Sequence, residues 1–300
     1  MCLNPTLRAW ADPAREDLSI LLGAACGDVA GSVYEMRNIR YRLDEGHLIS
    51  PNAHVTDDTV LTCAVARALA EVLPTLPEDW LHTGDIEAAE AAIAESARVQ
   101  IHSFGCSYPT AGYGSKFEQW LLSGGREPYG SWGNGSAMRV SPAGWLARSL
   151  EEAERLGEIT AAVTHNHPEG VKGAKVVAGC LYLLRQSPDK EAVRAYAAQH
   201  YDIGFTLDGI RDTYTFNASC QGSVPQAIVA FLEAADFADA ISGAISIGGD
   251  SDTIAAIAGC LAEVIYPIPE GIRAEVTARM AAPLLAAIDE AVDCARNAGK

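Results

Sequence analysis

The stretch GGDSDTIAAIAGCLAEVIYP, Gly248 to Pro267, decides the fold. From Ile254 onward its apolar residues fall at helical spacing, with Ile254, Ile257, Ala258, Leu261, Val264 and Ile265 on one stripe. Pro267 and Pro269 stop the run, and Asp250 or Ser251 stands where a helix over 252–266 wants its N-cap. The same design recurs upstream. In HVTDDTVLTCAVARAL, His54 to Leu69, Thr56 or Asp57 is placed to cap a helix over 58–73, whose stripe is Val60, Leu61, Ala64, Val65, Ala68, Leu69 and Val72 before Pro74.

Working outward, helical periodicity extends over most of the chain. Leu18, Leu21, Leu22, Ala25, Cys26 and Val29 form a further stripe, and helices are expected near 85–101, 115–122, 136–149, 151–163, 168–186, 190–199, 224–235 and 270–295. Alternating strand patterns are absent and Ala, the best helix former, is abundant, so the expected fold is all-α. No Pro-, Gly- or Ser-rich linker and no fixed-period repeat divides the 300 residues, so one domain over 1–300 is expected. Gly23, Gly27 and Gly31 lie at i, i+4 and i+8, which predicts close approach of another backbone to the first helix.

Composition narrows the function. A formal net charge of −17 opposes nonspecific association with nucleic acid or an anionic membrane. The apolar runs fall short of the ~20 residues that span a bilayer, and the N-terminal sequence lacks a signal-peptide core. A cytoplasmic, monomeric protein is expected. The eight cysteines are scattered without a CxxC pair and sit mostly among apolar helical neighbours, which predicts buried reduced thiols rather than zinc ligands.

The acidic pairs pose the chemical question. A cap needs one carboxylate, yet each segment supplies two beside a hydroxyl: Asp57 and Asp58 with Thr56, and Asp250 and Asp252 with Thr253. Like charges about 4 Å apart repel by about 4 kcal/mol at an effective dielectric near 20. A divalent cation removes that penalty, and oxygen-only ligands point to Mg²⁺, with Mn²⁺ as a substitute.

HVTDDT and GGDSDT, about 190 residues apart, resemble the two metal-binding signatures of the ADP-ribosylglycohydrolase family. GAACGDVAGSVYE (23–35), GYGS (112–115), WGNGSAMRVSPAGW (132–145) and THNHPEG (164–170) match further motifs in order, so the resemblance spans most of 18–267. It implies an orthogonally packed all-α fold that binds two Mg²⁺ ions through Thr56, Asp57, Asp58, Asp250, Asp252 and Thr253. It also implies catalytic roles for Glu35 and for Asp250, with Asp28 behind the metals or in helix packing. The implied activity is Mg²⁺-dependent hydrolysis of an ADP-ribosyl bond, leaning to ADP-ribosyl-arginine. The implied substrate contacts are Gly112, Tyr113, Gly114 and Ser115 at the adenosine end, with Tyr113 either stacked on the base or packed in the core. Gly133, Asn134, Gly135 and Ser136 would offer backbone N–H groups to the pyrophosphate, and His165 would also touch substrate. His167 is expected at a helix start, and Arg139 in a structural ion pair with an acidic side chain, with reach to a phosphate as the alternative.

Two other readings compete. ISIGGDSDT also resembles the nucleophile strand of a haloacid-dehalogenase-type phosphatase, a reading that requires an α/β sheet. A catalytically degenerate ADP-ribose-binding or structural relative is the non-enzymatic alternative, against which the full set of candidate metal ligands argues.

Overall fold

A computed structural model describes residues 21–35 and 37–297. Among them are fifteen α-helices and no strand, the one pairing of extended backbone being an isolated bridge between Gly133 and Ser219. The phosphatase reading fails here, because its sheet is absent from the described residues. In chain order the helices are α1 (Gly23–Gly31), α2 (Asp57–Val72), α3 (Ile86–Ser107), α4 (Ser115–Leu122), α5 (Gly135–Met138), α6 (Ser141–Leu146), α7 (Leu150–Ala162) and α8 (Pro168–Gln186). There follow α9 (Lys190–Ala197), α10 (Leu207–Ile210), α11 (Cys220–Glu233), α12 (Phe237–Ile245), α13 (Ser251–Ala262), α14 (Glu270–Thr277) and α15 (Ala282–Asn297).

The centre is α13, every residue of which is buried, packed against α1, α11 and α12. Helix α1 is likewise buried throughout. A Cβ on Gly23 would lie 2.3 Å from the Gly259 carbonyl oxygen, one on Gly27 2.0 Å from that of Ala255, and one on Gly31 2.4 Å from the Asp252 Cα. The glycine stripe therefore lets two backbones touch. It also carries Asp28 and Glu35 to the start of α13. At the other end of this contact, the buried Glu263 carboxylate accepts from the backbone N–H of Leu22 (3.0 Å) and Gly23 (2.6 Å) and from the indole of Trp145 (3.0 Å). Burial pushes the Glu263 carboxyl up to about 8, and these donors pull it back.

Several boundaries move from the sequence-based expectation, each for a local reason. The first stripe began at Leu18, which lies outside the described residues; the helix starts at Gly23, because Leu21 takes a left-handed φ of 67°. The expected helix over 136–149 divides into α5 and α6, because Pro142 has no N–H for the Met138 carbonyl, which takes the Thr62 hydroxyl instead at 3.4 Å. Pro283 similarly separates α15 from α14. Helix α11 begins at Cys220 rather than near 224, capped by Ser219, whose Oγ accepts from the Gly222 N–H at 3.1 Å. Helix α12 was not expected at all; Asp236 caps it by accepting from the Asp239 N–H at 2.8 Å.

The described cysteines are free thiols, five of them buried, with Cys294 partly covered. Cys106 departs from the expectation by being exposed, and Cys2 lies outside the described residues. No helix among the described residues is long and apolar enough to cross a membrane.

Candidate active site

Helix α2 starts at the site because Asp28 holds its first turn. The Asp28 carboxylate, fully buried on α1, accepts from the Thr56 N–H (3.0 Å), the Thr56 hydroxyl (2.7 Å), the Thr59 N–H (3.0 Å) and the Thr59 hydroxyl. Burial pushes its carboxyl upward and these four donors pull it back. Thr56 is the N-cap, with its Oγ accepting from the Asp58 N–H at 3.4 Å. Asp28 is thus an anchor between helices, with three of the four donors on its Oδ2 and one on its Oδ1.

Asp250 makes no cap hydrogen bond for α13, although it stands at the N-cap position. Its Oδ2 instead accepts from the Asn134 side-chain amide at 2.8 Å, and the same amide donates to Ser223 Oγ at 2.8 Å. The turn before it passes through Gly248 and Gly249, with φ of 67° and 76°, a conformation that favours glycine. Asn38 Oδ1 secures that turn by accepting from the Gly249 N–H at 2.9 Å.

The two acidic segments meet. Thr253 donates its hydroxyl to Asp58 Oδ2 at 3.3 Å, bridging the starts of α13 and α2. Oxygens of Asp28, Asp58 and Asp252 lie within 4.8 Å of one another, as do those of Glu35, Asp250 and Asp252, so Asp252 belongs to both groups. Asp57 joins neither group, although it lines the same cavity. Burial, followed by the charges of Asp28, Asp57 and Asp250, pushes the Asp58 carboxyl well above the usual range. Asp252 rises for the same first reason, then through Asp58 and Asp250. Asp57 is pushed up to about 8 by burial and then by Asp28 and Asp250. Glu35 lies in the turn beyond α1, half-buried, and is raised by burial and then by Asp250 and Asp28.

This donor set fits a divalent cation. Asp58 Oδ1 is buried without a hydrogen-bond partner among the described residues, the ligating groups are all oxygens, and burial raises the carboxyls of Asp57, Asp58, Asp250 and Asp252 alike. The acidic residues can hold a metal ion.

Above the carboxylates opens a cavity of about 560 Å³, within the ~300–1,000 Å³ typical of small-molecule sites. Glu35, Asp57, Asp58, Asp250, Asp252 and Thr253 line its floor. Thr56 lines it too, its hydroxyl proton committed to Asp28. Gly112, Gly114 and Ser115 line one wall, and Gly133, Asn134, Gly135 and His165 another.

Two expected contacts are not brought there. Tyr113 is buried and packs on Phe117, with ring centroids 5.0 Å apart, so it serves the core rather than a base. Ser136, expected to offer its backbone N–H, is not among the residues lining the cavity, and its hydroxyl donates to the Gly170 carbonyl at 2.7 Å. His167 caps α8, as expected at a helix start. Arg139 corrects its expectation. It has no carboxylate partner among the described residues, and its guanidinium donates to the Thr160 carbonyl (3.2 Å) and to Thr164 Oγ (2.8 Å). Sequence reading missed Ser131, Tyr129, Lys116 and Phe216, which also line the cavity. The loop before Trp132 and the half-exposed Phe216 carried no spacing signal that would find them.

Comparison with known proteins agrees with this geometry. The chain is 27% identical over 324 residues to ADP-ribosylhydrolase ARH3 of Homo sapiens, covering 82% of this chain and 84% of that one. It is 29% identical over 163 residues to ADP-ribosylarginine hydrolase Tri1 of Pseudomonas putida, covering 50% of this chain and 44% of that one. A solved structure described as an ADP-ribosylglycohydrolase-related protein complex shares the fold, with a TM-score of 0.60 at 18% identity over 95% of this chain and all of that chain. A sequence profile of the ADP-ribosylglycohydrolases matches residues 14–297, and the chain belongs to that family.

Proposed function

We propose that this protein is a Mg²⁺-dependent hydrolase that releases ADP-ribose from ADP-ribosylated arginine. The observation that carries the reading is convergence: five carboxylates that cannot all stay ionised together line one cavity with a glycine-rich turn and a histidine. Asp57, Asp58, Asp250 and Asp252, with Thr56 and Thr253, would hold two ions, Asp252 being common to both carboxylate groups. Bound there, Mg²⁺ supplies Lewis acidity and cancels the carboxylates' mutual repulsion.

The chain's own residues do the rest. The turn at Gly133–Gly135 and His165 orient the pyrophosphate, and Asn134 keeps Asp250 aimed into the cavity. As the bond between the anomeric carbon and the guanidine nitrogen breaks, its electron pair leaves with the nitrogen; the Glu35 carboxyl gives that nitrogen its proton and takes one back from the water that bonds to the carbon, a role its raised proton affinity suits. Its position among acidic neighbours also suits a cationic guanidinium as the departing group. The similarity to the arginine-specific relative supports that linkage. The chain acts as one domain, a reading supported by the family match from 14 to 297 and by the packing of α1 on α13.

The test is incubation with arginine-, serine- and base-linked ADP-ribose, with and without Mg²⁺. Release of ADP-ribose from the arginine conjugate in Mg²⁺ alone is expected. Release only from another conjugate would overturn the linkage, and release undiminished by chelation would overturn the metal requirement.

A further inference from the structure

Arg139 is a buried positive charge, 1% exposed, and no carboxylate among the described residues forms an ion pair with it, the charge of Asp57 acting on it only through space. Its Nε and Nη1 have no hydrogen-bond partner among those residues, and its Nη2 donates to Thr164 Oγ at 2.8 Å. Thr164, fully buried, lies 2.7 Å from Nδ1 of His165. A guanidinium only donates, so it takes a lone pair of the Thr164 oxygen. The hydroxyl proton then has one acceptor in reach, His165 Nδ1. An imidazole that accepts at Nδ1 carries its own proton on Nε2.

That Nε2 faces the cavity. His165 lines the cavity, and a Cβ on Gly135 would lie 3.1 Å from this nitrogen, so the glycine leaves the space beside it open; one on Gly133 would meet Ser131 Oγ and the Ala218 carbonyl oxygen first, at 3.1 and 3.4 Å. The Tyr129 ring stands beside the imidazole at 5.6 Å, and the Tyr129 N–H donates to the Thr164 carbonyl at 3.2 Å.

The geometry points to Arg139 and Thr164 as positioning residues that hold His165 in its Nε2–H form, a donor to a phosphate oxygen of the ligand. This rests on the ADP-ribosyl reading of the cavity and adds to it how an acidic protein presents positive character there: through a buried charge and a relayed hydrogen bond. Burial and the Arg139 charge both hold the imidazole neutral, which keeps a single donor in place.

Long-range ¹H–¹⁵N spectra of the free wild-type protein report the tautomer directly, and calorimetry with ADP-ribose and with adenosine, which lacks the phosphates, reports the consequence. We expect Nε2–H in the wild type. In Thr164→Val we expect a mixture of tautomers and ADP-ribose affinity weakened about ten-fold or more, with adenosine affinity unchanged. Thr164→Ser should restore both the tautomer and the affinity. An Nδ1–H tautomer in the wild type, or equal loss of ADP-ribose and adenosine binding in Thr164→Val, would overturn the relay. An Nε2–H wild type that binds no ADP-ribose would support the relay and overturn its ligand.

Discussion

Asp252 is the carboxylate common to both acidic groups, so Asp252→Asn is the most informative single change. Oxygens of each group lie within 4.8 Å. Two unit charges at that distance repel by roughly 3.5 kcal/mol at an effective dielectric near 20. Removing Asp252 deletes several such pairs, while the amide oxygen still accepts from the Thr253 N–H as Oδ1 now does at 2.9 Å. Proton uptake already relieves part of the repulsion, so a net gain of about 1–3 kcal/mol is expected in the metal-free protein. For a chain of this size that is a rise of roughly 2–6 °C in melting temperature at pH 8. Mg²⁺ at a hundred times its Kd should stabilise the wild type by about 2.7 kcal/mol and the variant by almost nothing. Differential scanning calorimetry with chelator and with Mg²⁺ measures both. A variant less stable than wild type in chelator, or one that keeps the full Mg²⁺ shift, would show that the carboxylates are not held together by a cation.

The pH dependence has a definite sign. The carboxyls here bind protons more tightly folded than unfolded, so metal-free stability is full below the ordinary carboxylate range and declines as pH rises toward about 8, where Asp57 titrates; melting scans in chelator from pH 5 to 8 check it, and rising stability would contradict it. Glu35→Gln should bind ADP-ribose within a few-fold of wild type and lose turnover by about two orders of magnitude or more, as single-turnover assays would read. Loss of binding along with turnover would make Glu35 a ligand of metal or substrate. Glu263→Ala should cost about 3–5 kcal/mol by stranding two backbone N–H groups and the Trp145 indole, a loss visible in urea unfolding; a cost under 1 kcal/mol would mean that water replaces the carboxylate.

What could be read from residues alone followed the range of the interaction. Helices α2 and α13 were legible because their stripes and stop signals are local, and so were the paired aspartates at their starts. The α1–α13 contact was foreshadowed by Gly23, Gly27 and Gly31, though nothing local named the partner. Helix α12 escaped notice because its nine residues, FADAISGAI, are too short a run for the helical period to stand out, although Asp236 offers it an N-cap. The break between α5 and α6 was legible in Pro142, although the expected helix over 136–149 runs through it; only the Thr62 hydroxyl at the Met138 carbonyl needed tertiary knowledge. Arg139 was expected to find a carboxylate among so many acidic residues, yet the fold answers it with a carbonyl and a hydroxyl. Asn134 read as part of a turn, while its work is to hold Asp250, 116 positions away.

The glycine contact between α1 and α13 also sets a timetable for synthesis. Gly31 and Ser251 are 220 positions apart, and two of the five carboxylates lining the cavity, Asp250 and Asp252, enter with the later segment. At ~5–20 residues per second, a ribosome needs roughly 10–45 s to pass from one to the other. Throughout that interval the bare glycine face of α1 waits without the backbone it lies against, although Asp28 can already meet Thr56 and Thr59 on α2. A nascent chain halted before Ser251 should therefore neither bind metal nor resist proteolysis around α1, and both properties should arrive together once α13 has cleared the exit tunnel.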